Sequence, residues 1–394
     1  MTSAHHRLRR FAAILIGIVF LVSGLLKISD PVGTMLIVTE YFKFFHLGFL
    51  IPAAKVVGIL LALVETLTGI ALITGICRKV AAYATWGLLW VFTLVTLLLW
   101  IFNPVMDCGC FGEAIHLSHA QSFLKNVILL GLACLAFLPM KDFGEPKPLK
   151  RVAAALGALS VLVAVIYSNT HLPLMDFTAF DWGSELFASL EDEVEADNHY
   201  KASFIYEKDG KQGSFFLENL PDSTWTFVKV DTVFQEGPVP GKDHPILGFR
   251  DAEGEYQDQL AAEGKVVVLS VYNPAKAPWE RIRKHYQAVE AAGARPLLMV
   301  ACSTEEVDSF GIPIDLMVYY ADYKTLITLN RSNGGGSYFC EGELIDKWAS
   351  RGFPKNLAEE LAAEPVDFST NRIIRRRIQA QGFCLYLAAV LMLL

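Results

Sequence analysis

Residues 80–139 read VAAYATWGLLWVFTLVTLLLWIFNPVMDCGCFGEAIHLSHAQSFLKNVILLGLACLAFLP. The run 80–102 contains no charged residue and is long enough to cross a bilayer, and 123–139 is nearly as apolar. Between them lies the loop Asp107-Cys108-Gly109-Cys110-Phe111-Gly112, which holds the only close pair of cysteines in the chain. This pattern predicts a loop at a membrane surface, and any redox chemistry of the protein is expected there.

The overall composition narrows the class of protein. A chain of 394 residues has room for two or three domains. Its formal net charge of −7 means that it has no overall excess of basic residues, which a protein that binds nucleic acid usually has. Seven cysteines are too scattered for a disulfide framework. The basic residues 1–10 precede an apolar run that exceeds a signal-peptide core and lacks a cleavage site, which indicates a retained membrane anchor.

Five segments have the ~17–25 apolar residues of a membrane-spanning helix. They are residues 11–28, 49–76, 80–102, 123–139 and 152–167. Lysine and arginine cluster before the first segment, between the second and third, and between the fourth and fifth. By the positive-inside rule, the N-terminus is cytoplasmic, and the cysteine loop and everything after the fifth helix lie outside.

Residues 30–46 connect the first two spans and read DPVGTMLIVTEYFKFFH. Pro31 directly after Asp30 suits the start of a helix. We expect a short amphipathic helix in the outer interface of the membrane, with a plain connecting loop as the alternative.

Strand patterns replace the apolar runs after residue 169. Residues 201–207 and 213–217 flank a turn and predict a hairpin, and the alternation of strands and helices from residue 265 onward predicts an α/β sandwich. Individual predictions are strands at 265–272, 295–301, 326–329, 338–340 and 344–348, and a helix at 278–292. The acidic stretch 176–199 is expected to be a solvated helix face, and 235–243 is expected to be a linker.

The predicted domain order follows from these patterns. It comprises a helical membrane domain at 1–140, a cytoplasmic loop and fifth helix at 141–168, an exported acidic and strand-forming insert at 169–240, the α/β domain at 241–370 and a basic, apolar helix at 371–394. The apolar end of the last helix is expected to contact the membrane or the bundle, and an incidental tail is the alternative.

The membrane half resembles the DoxX/MauE family of bacterial four-helix membrane proteins. The matching segments are residues 17–27 (GIVFLVSGLLK) with Asp30-Pro31, then residues 64–75 (VETLTGIALITG), and the Cys-Gly-Cys-Phe-Gly loop as the MauE-like mark. The resemblance implies a four-helix bundle extended by a fifth anchor helix, in a bacterial inner membrane with the soluble domain in the periplasm. It also implies a supporting role in the maturation of exported proteins, of the methylamine-utilisation type.

The exported half resembles the thioredoxin-like domains of the TlpA kind. Residues 246–254 (ILGFRDAEG) are similar to their entry hairpin, and residues 265–272 to their central strand. The family places Cys-x-x-Cys at the following helix start, but residues 272–279 (YNPAKAPW) contain no cysteine, and the loop 332–336 (SNGGG) contains no proline. The resemblance therefore implies a degenerate domain without thioredoxin chemistry.

Cys108 and Cys110 are the main candidates for chemistry. A disulfide across one residue closes a small ring, and the resulting strain raises the reduction potential, so such a pair would act as a labile oxidant that cycles between dithiol and disulfide. A static disulfide or two idle thiols is the first alternative. A zinc site with His116 and His119 is a weaker one, and no metal is predicted.

Glu65 is the second candidate, because a carboxylate in the middle of an apolar span is costly and usually functional. It is expected to bind a quinone headgroup or to relay a proton. The alternative is a structural hydrogen bond to a hydroxyl group of Ser23, Thr93 or Tyr83. Glu65 lies about fourteen residues inside its helix, roughly 20 Å from the outer end, which argues against contact with the cysteines.

These observations predict an inner-membrane protein for thiol–disulfide or quinone-linked electron transfer, with Cys108 and Cys110 as the exchanging pair and Glu65 as an auxiliary group. Its partners would be the lipid bilayer and exported thiol proteins or another redox partner, and quinone is the one cofactor considered. The alternative is a non-enzymatic membrane scaffold whose exported domain binds a partner.

Overall fold

The structure of the protein is a computed structural model. It describes residues 3–104, 108–115, 117–138, 148–173, 176–184, 186, 200–208, 211–216, 221, 225–234 and 245–362, with isolated positions at 378, 381, 382, 385 and 389. The chain divides into two compact units, Met1–Phe177 with Ile373–Leu394 and Thr178–Arg372. The acidic helix face at 176–199, the linker at 235–243 and the C-terminal helix at 371–394 fall largely or wholly outside the described residues.

The first unit is helical. Its elements are α1 (Ser3–Ser29), α2 (Pro31–Phe44), α3 (Ala54–Thr74), α4 (Arg78–Phe102), β1 (Cys110–Glu113), α5 (His119–Phe137) and α6 (Pro148–Thr170). Five of these helices, all but α2, are long and apolar enough to cross a membrane. They confirm the five predicted spans and give the protein the lipid bilayer as its environment.

Helix α2 confirms the helix predicted between the first two spans. Its first turn is capped by Asp30, whose carboxylate accepts a hydrogen bond from the backbone N–H of Gly33 at 2.9 Å. Pro31 occupies the first helical position, where its missing N–H costs nothing. The buried residues Thr34 and Val38 lie on one side of this helix and turn it toward the bundle.

Helices α1 and α3 pack against each other closely, because glycine allows their backbones to approach. A Cβ atom added at Gly69 of α3 would lie 2.7 Å from the carbonyl oxygen of Gly17 in α1. Small residues at such positions are typical of helix pairs in membranes. The close approach sets Lys27 of α1 opposite Glu65 of α3.

The second unit contains two sheets. The smaller one has the strand order β3-β2-β4, with β2 (Tyr200–Lys208), β3 (Lys211–Phe216) and β4 (Thr226–Phe234). Antiparallel pairing of β2 with β3 confirms the predicted hairpin. The sequence analysis did not predict β4, which pairs with the other side of β2.

The larger sheet is mixed and has the order β7-β6-β5-β8-β9. Its strands are β5 (Lys265–Val271), β6 (Arg295–Val300), β7 (Val318–Tyr320), β8 (Gly335–Cys340) and β9 (Glu343–Trp348). Strands β5, β6 and β7 run parallel, whereas β8 and β9 are antiparallel. Alternate residues of the central β5 enter two different cores, as a strand covered on both faces requires.

Four helices cover the two faces of this sheet. They are α7 (Gln259–Ala262), α8 (Trp279–Ala291), α9 (Tyr323–Leu329) and α10 (Leu357–Ala362). Helices α8 and α10 contribute to the core that contains Val267, and α7 and α9 to the core that contains Val266. The predicted strands around β5, β6, β8 and β9 and the predicted helix around α8 are therefore confirmed, within a mixed α and β unit.

One element was predicted wrongly. Residues 326–329 were expected to form a strand, but they are the last turn of helix α9. The cause lies just upstream, where the carboxylate of Asp322 accepts hydrogen bonds from the backbone N–H groups of Lys324 and Thr325 at 2.7 and 3.2 Å. This N-cap starts a helix, and a short apolar run by itself does not distinguish helix from strand.

Candidate functional site

The cysteine loop folds back onto the helices of the first unit. Cys108 is only 5% exposed and Cys110 is half-buried, so the loop does not present both thiols to solvent. Gly109 between them has a φ of +60°, and a Cβ atom at this position would clash with the side chain of Ile37 in α2. Glycine is therefore required for this turn to lie against α2.

Two hydroxyl groups hold the loop through its backbone. Tyr41 of α2 donates a hydrogen bond to the carbonyl oxygen of Cys108 at 2.5 Å. The hydroxyl oxygen of Ser23 in α1 lies 2.6 Å from the carbonyl oxygen of Cys110. Each cysteine is thus anchored at its main chain, and both side chains keep fixed positions relative to the helices.

The two cysteines are free thiols in different surroundings. The hydroxyl group of Ser122 in α5 donates to the sulfur of Cys108 at 2.8 Å, and the same sulfur lies 3.6 Å from the carbonyl oxygen of Leu117. The Cys108 thiol, which also lies beside the Leu117 carbonyl, is close enough to the Cys110 sulfur to share its proton with it. The pair is therefore linked by a hydrogen bond while both residues are reduced.

This shared hydrogen bond separates the protonation states of the two thiols. It lowers the pKa of Cys110 to about 5; burial opposes the shift and the ammonium group of Lys125 adds to it. The same hydrogen bond, with burial acting in the same direction, raises the pKa of Cys108. The directions of the two shifts favour a Cys110 thiolate beside the protonated thiol of Cys108, the arrangement that makes one cysteine of a pair nucleophilic.

Glu65 forms a buried ion pair with Lys27. The Lys27 Nζ atom lies 2.7 Å and 2.8 Å from the two carboxylate oxygens, and the two side chains are 7% and 0% exposed. Lys27 was not among the predicted partners of Glu65, although it lies one helical turn after Ser23 in an otherwise apolar span. Side chains four residues apart share a helix face, so a Ser23 side chain that faces Glu65 implies that Lys27 faces Glu65 as well. This spacing is the sequence signal for the ion pair.

One of the three predicted hydroxyl partners of Glu65 is confirmed. The hydroxyl oxygen of Ser23 lies 2.8 Å from the Glu65 Oε2 atom. Thr93 instead donates to the carbonyl oxygen of Leu89 in its own helix, and Tyr83 is exposed. The structural hydrogen bond and the charged pair therefore occur together.

Glu65 is linked to the cysteine loop through the side chain of Ser23. The Ser23 hydroxyl lies within hydrogen-bond distance of both the Glu65 carboxylate and the carbonyl oxygen of Cys110. A hydroxyl group has one proton to donate, and its oxygen also accepts from Lys27 at 3.1 Å, so Ser23 donates to one of the two acceptors at a time. This indirect link exists because the loop comes down onto α1, where β1 contacts α1 and α2.

A cavity of about 300 Å³ lies beside both cysteines. Its walls are mainly apolar side chains from α1 to α5, and its polar lining includes Lys27, Tyr41, Lys125 and Asn126. The Lys125 ammonium lies 4.8 Å above the ring of Phe111, next to the cysteine loop. This volume is at the lower end of the range for small-molecule pockets.

The described residues contain no group of three or more histidine, cysteine or acidic side chains that would hold a metal ion. The Nε2 atom of His119 lies 3.1 Å from the carbonyl oxygen of Pro104, so its position is explained by the backbone. His116 lies outside the described residues.

The turn after the central strand β5 contains no cysteine. It forms a short 3₁₀ turn over Pro274–Lys276, followed by α8. The backbone N–H of Asn273 donates to the Asn333 side chain at 3.0 Å, and Asn333 donates back to the carbonyl oxygen of Asn273 at 2.8 Å. Paired amides rather than thiols connect this turn to the loop before β8.

Residues 6–139 match a family model described as methylamine utilisation protein MauE, and residues 200–235 match a domain of unknown function, DUF8463. The first match covers about a third of the chain, from α1 to α5, including the cysteine loop and the Lys27–Glu65 pair. Comparison with curated proteins and with solved structures gave no match.

The five apolar helices and this match define a multi-pass membrane protein. Its first unit is similar to the methylamine utilisation protein MauE, as the loop and the segments 17–27 and 64–75 predicted.

Proposed function

We propose that this protein transfers electrons through the Cys108–Cys110 pair, which alternates between a dithiol and a disulfide. The observation that supports this most is the pairing of a buried and a half-buried cysteine on a loop anchored to three helices, where the two thiols shift each other's pKa in opposite directions. Idle or purely structural cysteines do not need such a difference in protonation. From the resemblance of this unit to the MauE family, we also propose a supporting role in the maturation of exported proteins.

The two sulfur atoms have different roles in this proposal. Cys110 is the exchanging atom, because it is a thiolate and the more exposed of the two. In exchange with a partner protein, a thiolate attacks one sulfur of a disulfide, forms a mixed disulfide and releases the other sulfur as a thiolate. When Cys110 is the attacking thiolate, Cys108 then attacks the Cys110 sulfur of the mixed disulfide, which leaves a Cys108–Cys110 disulfide and a reduced partner. In the opposite direction, an exported dithiol attacks the Cys110 sulfur of the disulfide, Cys108 leaves as a thiolate, and the second thiol of the partner completes the partner's own disulfide.

Glu65, Lys27 and Ser23 act on this pair from the membrane interior. The charges of Lys27 and Glu65 neutralise each other, and the Ser23 hydroxyl lies between the Glu65 carboxylate and the carbonyl oxygen of Cys110. We propose that these residues position Cys110 and do not touch the exchanging sulfur. This assignment replaces a direct proton-relay role for Glu65.

The location of the site is also proposed. Basic residues at the ends of the apolar spans support a cytoplasmic N-terminus in a bacterial inner membrane, with the cysteine loop and the second unit on the periplasmic side. The second unit would be a thioredoxin-like domain that binds partners and performs no thiol chemistry in the turn after β5, which has no cysteine.

Trapping tests the exchange step. We expect the full-length Cys108→Ser variant to accumulate a mixed disulfide between Cys110 and an exported protein whose disulfide Cys110 attacks, because the resolving thiol is gone. Non-reducing electrophoresis and mass spectrometry of the adduct measure it, and the matched Cys110→Ser variant should accumulate far less. Equal trapping in both variants, or none in either, contradicts the assigned roles.

Orientation has a separate test. A membrane-impermeant maleimide added to reduced spheroplasts should modify Cys110 and leave Cys77 unmodified, since Cys77 lies at the opposite end of α3 and α4. Peptide mapping identifies the labelled residue. Labelling of Cys77 without Cys110 would invert the proposed topology.

A further inference from the structure

The cavity beside the cysteine loop is placed to hold a small molecule next to both cysteines. Cys108, Gly109 and Cys110 all line it, together with apolar side chains of five helices. Four of these helices, α1, α3, α4 and α5, are long and apolar enough to span the membrane. A ligand that reaches this space from the bilayer must itself be largely apolar.

Access distinguishes a small ligand from a protein partner. Cys108 is 5% exposed, so a folded protein cannot contact its sulfur while the loop is in place. A molecule inside the cavity is next to both cysteines at once. An oxidant that acts on both cysteines at once therefore has to bind in the cavity. A protein that exchanges disulfides reaches only Cys110.

The polar groups in the cavity specify the chemistry of the ligand. Lys125 and Asn126 bring hydrogen-bond donors to the end that contains the cysteines, and the Lys125 ammonium is close enough to Cys110 to lower its pKa. The charge of Lys27 is compensated by Glu65. Donors beside an apolar chamber suit a neutral ligand that has oxygen acceptors on an apolar body.

We propose that this cavity binds the headgroup of a lipid-soluble quinone, which accepts the electrons of the reduced cysteine pair. The inference rests on the proposed function and names its electron acceptor. A quinone headgroup is flat and uncharged, and its two carbonyl oxygens accept hydrogen bonds from donors such as Lys125. It is also an oxidant that resides in the bilayer.

The step balances as a two-electron oxidation. The S–H bond of Cys108 breaks, a bond forms between the Cys108 and Cys110 sulfur atoms, and two electrons pass to the quinone. The proton of Cys108 and one further proton from water go to the two quinone oxygens, which gives the quinol. The cysteine pair becomes a disulfide that an exported dithiol can reduce again through Cys110.

The test uses the full-length protein, reduced and purified in detergent, with decylubiquinone as the probe. Quinone reduction is followed by ultraviolet absorbance, and disulfide formation by alkylation and mass spectrometry. Val95 lines the cavity, and Leu94, the preceding residue of α4, is exposed on the outside of the bundle. Val95→Trp fills the cavity, Val95→Phe fills it partly, and Leu94→Trp is the matched control.

We expect Val95→Trp to slow quinone reduction on the order of a hundredfold, because small displacements of reacting groups have effects of this size. Val95→Phe should be intermediate and Leu94→Trp should equal the wild type. Diamide, a small soluble oxidant, should close the disulfide in all four proteins, which shows that the loop is intact. If Val95→Trp fails this check, the comparison rests on Val95→Phe.

The outcomes separate the two proposals. Quinone reduction that is equal in the wild type and the filled variants overturns the quinone site. So does a wild type that diamide oxidises normally but that does not reduce quinone, and in both cases the exchanging pair remains. A wild-type pair that diamide cannot convert to an intramolecular disulfide overturns the proposed function and the quinone site together.

Discussion

Replacing Lys27 by methionine is expected to destabilise the membrane unit by roughly 3–5 kcal/mol, because the change leaves the Glu65 carboxylate buried without its partner. Glu65 is fully buried, and Lys27 contacts both of its carboxylate oxygens. Without Lys27, the carboxylate would keep only the hydroxyl group of Ser23, whose single proton is shared between Glu65 and the carbonyl oxygen of Cys110. The expected observation is a lower thermal midpoint of unfolding in detergent, or loss of the folded protein from membranes.

The double variant Lys27→Met/Glu65→Leu is the control for this prediction. Removing both charges replaces the ion pair by apolar side chains, a change that is often close to neutral for stability. We therefore expect the double variant to be more stable than either single variant, with a coupling that a double-mutant cycle measures. Additive losses from the two single changes would contradict a direct interaction.

The double variant also separates stability from positioning. If the pair only stabilises the bundle, the double variant should show normal alkylation of Cys110. If the pair positions the loop through Ser23, the reactivity of Cys110 should change although the fold is recovered. The same preparation gives both measurements.

Alkylation of Cys110 in the full-length protein should stay fast down to pH 6 and fall only as the pH decreases through about 5. A lowered pKa keeps the reactive thiolate at lower pH, and the pKa of Cys110 is lowered to about 5 by the hydrogen bond from Cys108. At pH 6 such a thiol is mostly thiolate, whereas an ordinary thiol of pKa about 8.5 is about 0.3% thiolate, a difference of roughly three-hundredfold in reactive species. The rate of iodoacetamide modification, measured by mass spectrometry across pH, checks this expectation.

Two variants identify the cause of the shift. Cys108→Ala removes the donor and should move the fall in rate to higher pH, while Cys108→Ser keeps a hydroxyl donor and should move it less. Lys125→Met removes the nearby positive charge and should also move it upward, by less than Cys108→Ala, because the hydrogen bond from Cys108 is the larger cause. A profile in Cys108→Ala that still falls near pH 5 would contradict the hydrogen-bond explanation.

The membrane spans were predictable because hydropathy is a local property. A helix in lipid must satisfy its own backbone and present apolar side chains over its whole length, and both requirements appear as a continuous run of residues. The start of α2 was predictable for the same reason, since Asp30 and Pro31 act within one turn. The run at 326–329 was ambiguous because four apolar residues fit either type of element.

The partner of Glu65 could not be read from hydropathy. Lys27 and Glu65 are 38 residues apart and meet only because glycines let α1 and α3 approach closely. Lys27 lies near the end of the first apolar span, and a lysine at such a position is expected to extend its ammonium group to the lipid headgroups. The packing of the helices turns it inward instead.

By itself the sequence determined the five spans, the cysteine loop between two of them, and the β-α-β pattern whose following turn has no cysteine. Each of these depends on residues that are neighbours in the chain. Only the tertiary structure decided that Cys108 is buried, that Cys110 lies near Lys125, and that the Ser23 hydroxyl connects Glu65 to the loop. These contacts join residues of different helices, so they follow from how the helices pack rather than from any single stretch of sequence.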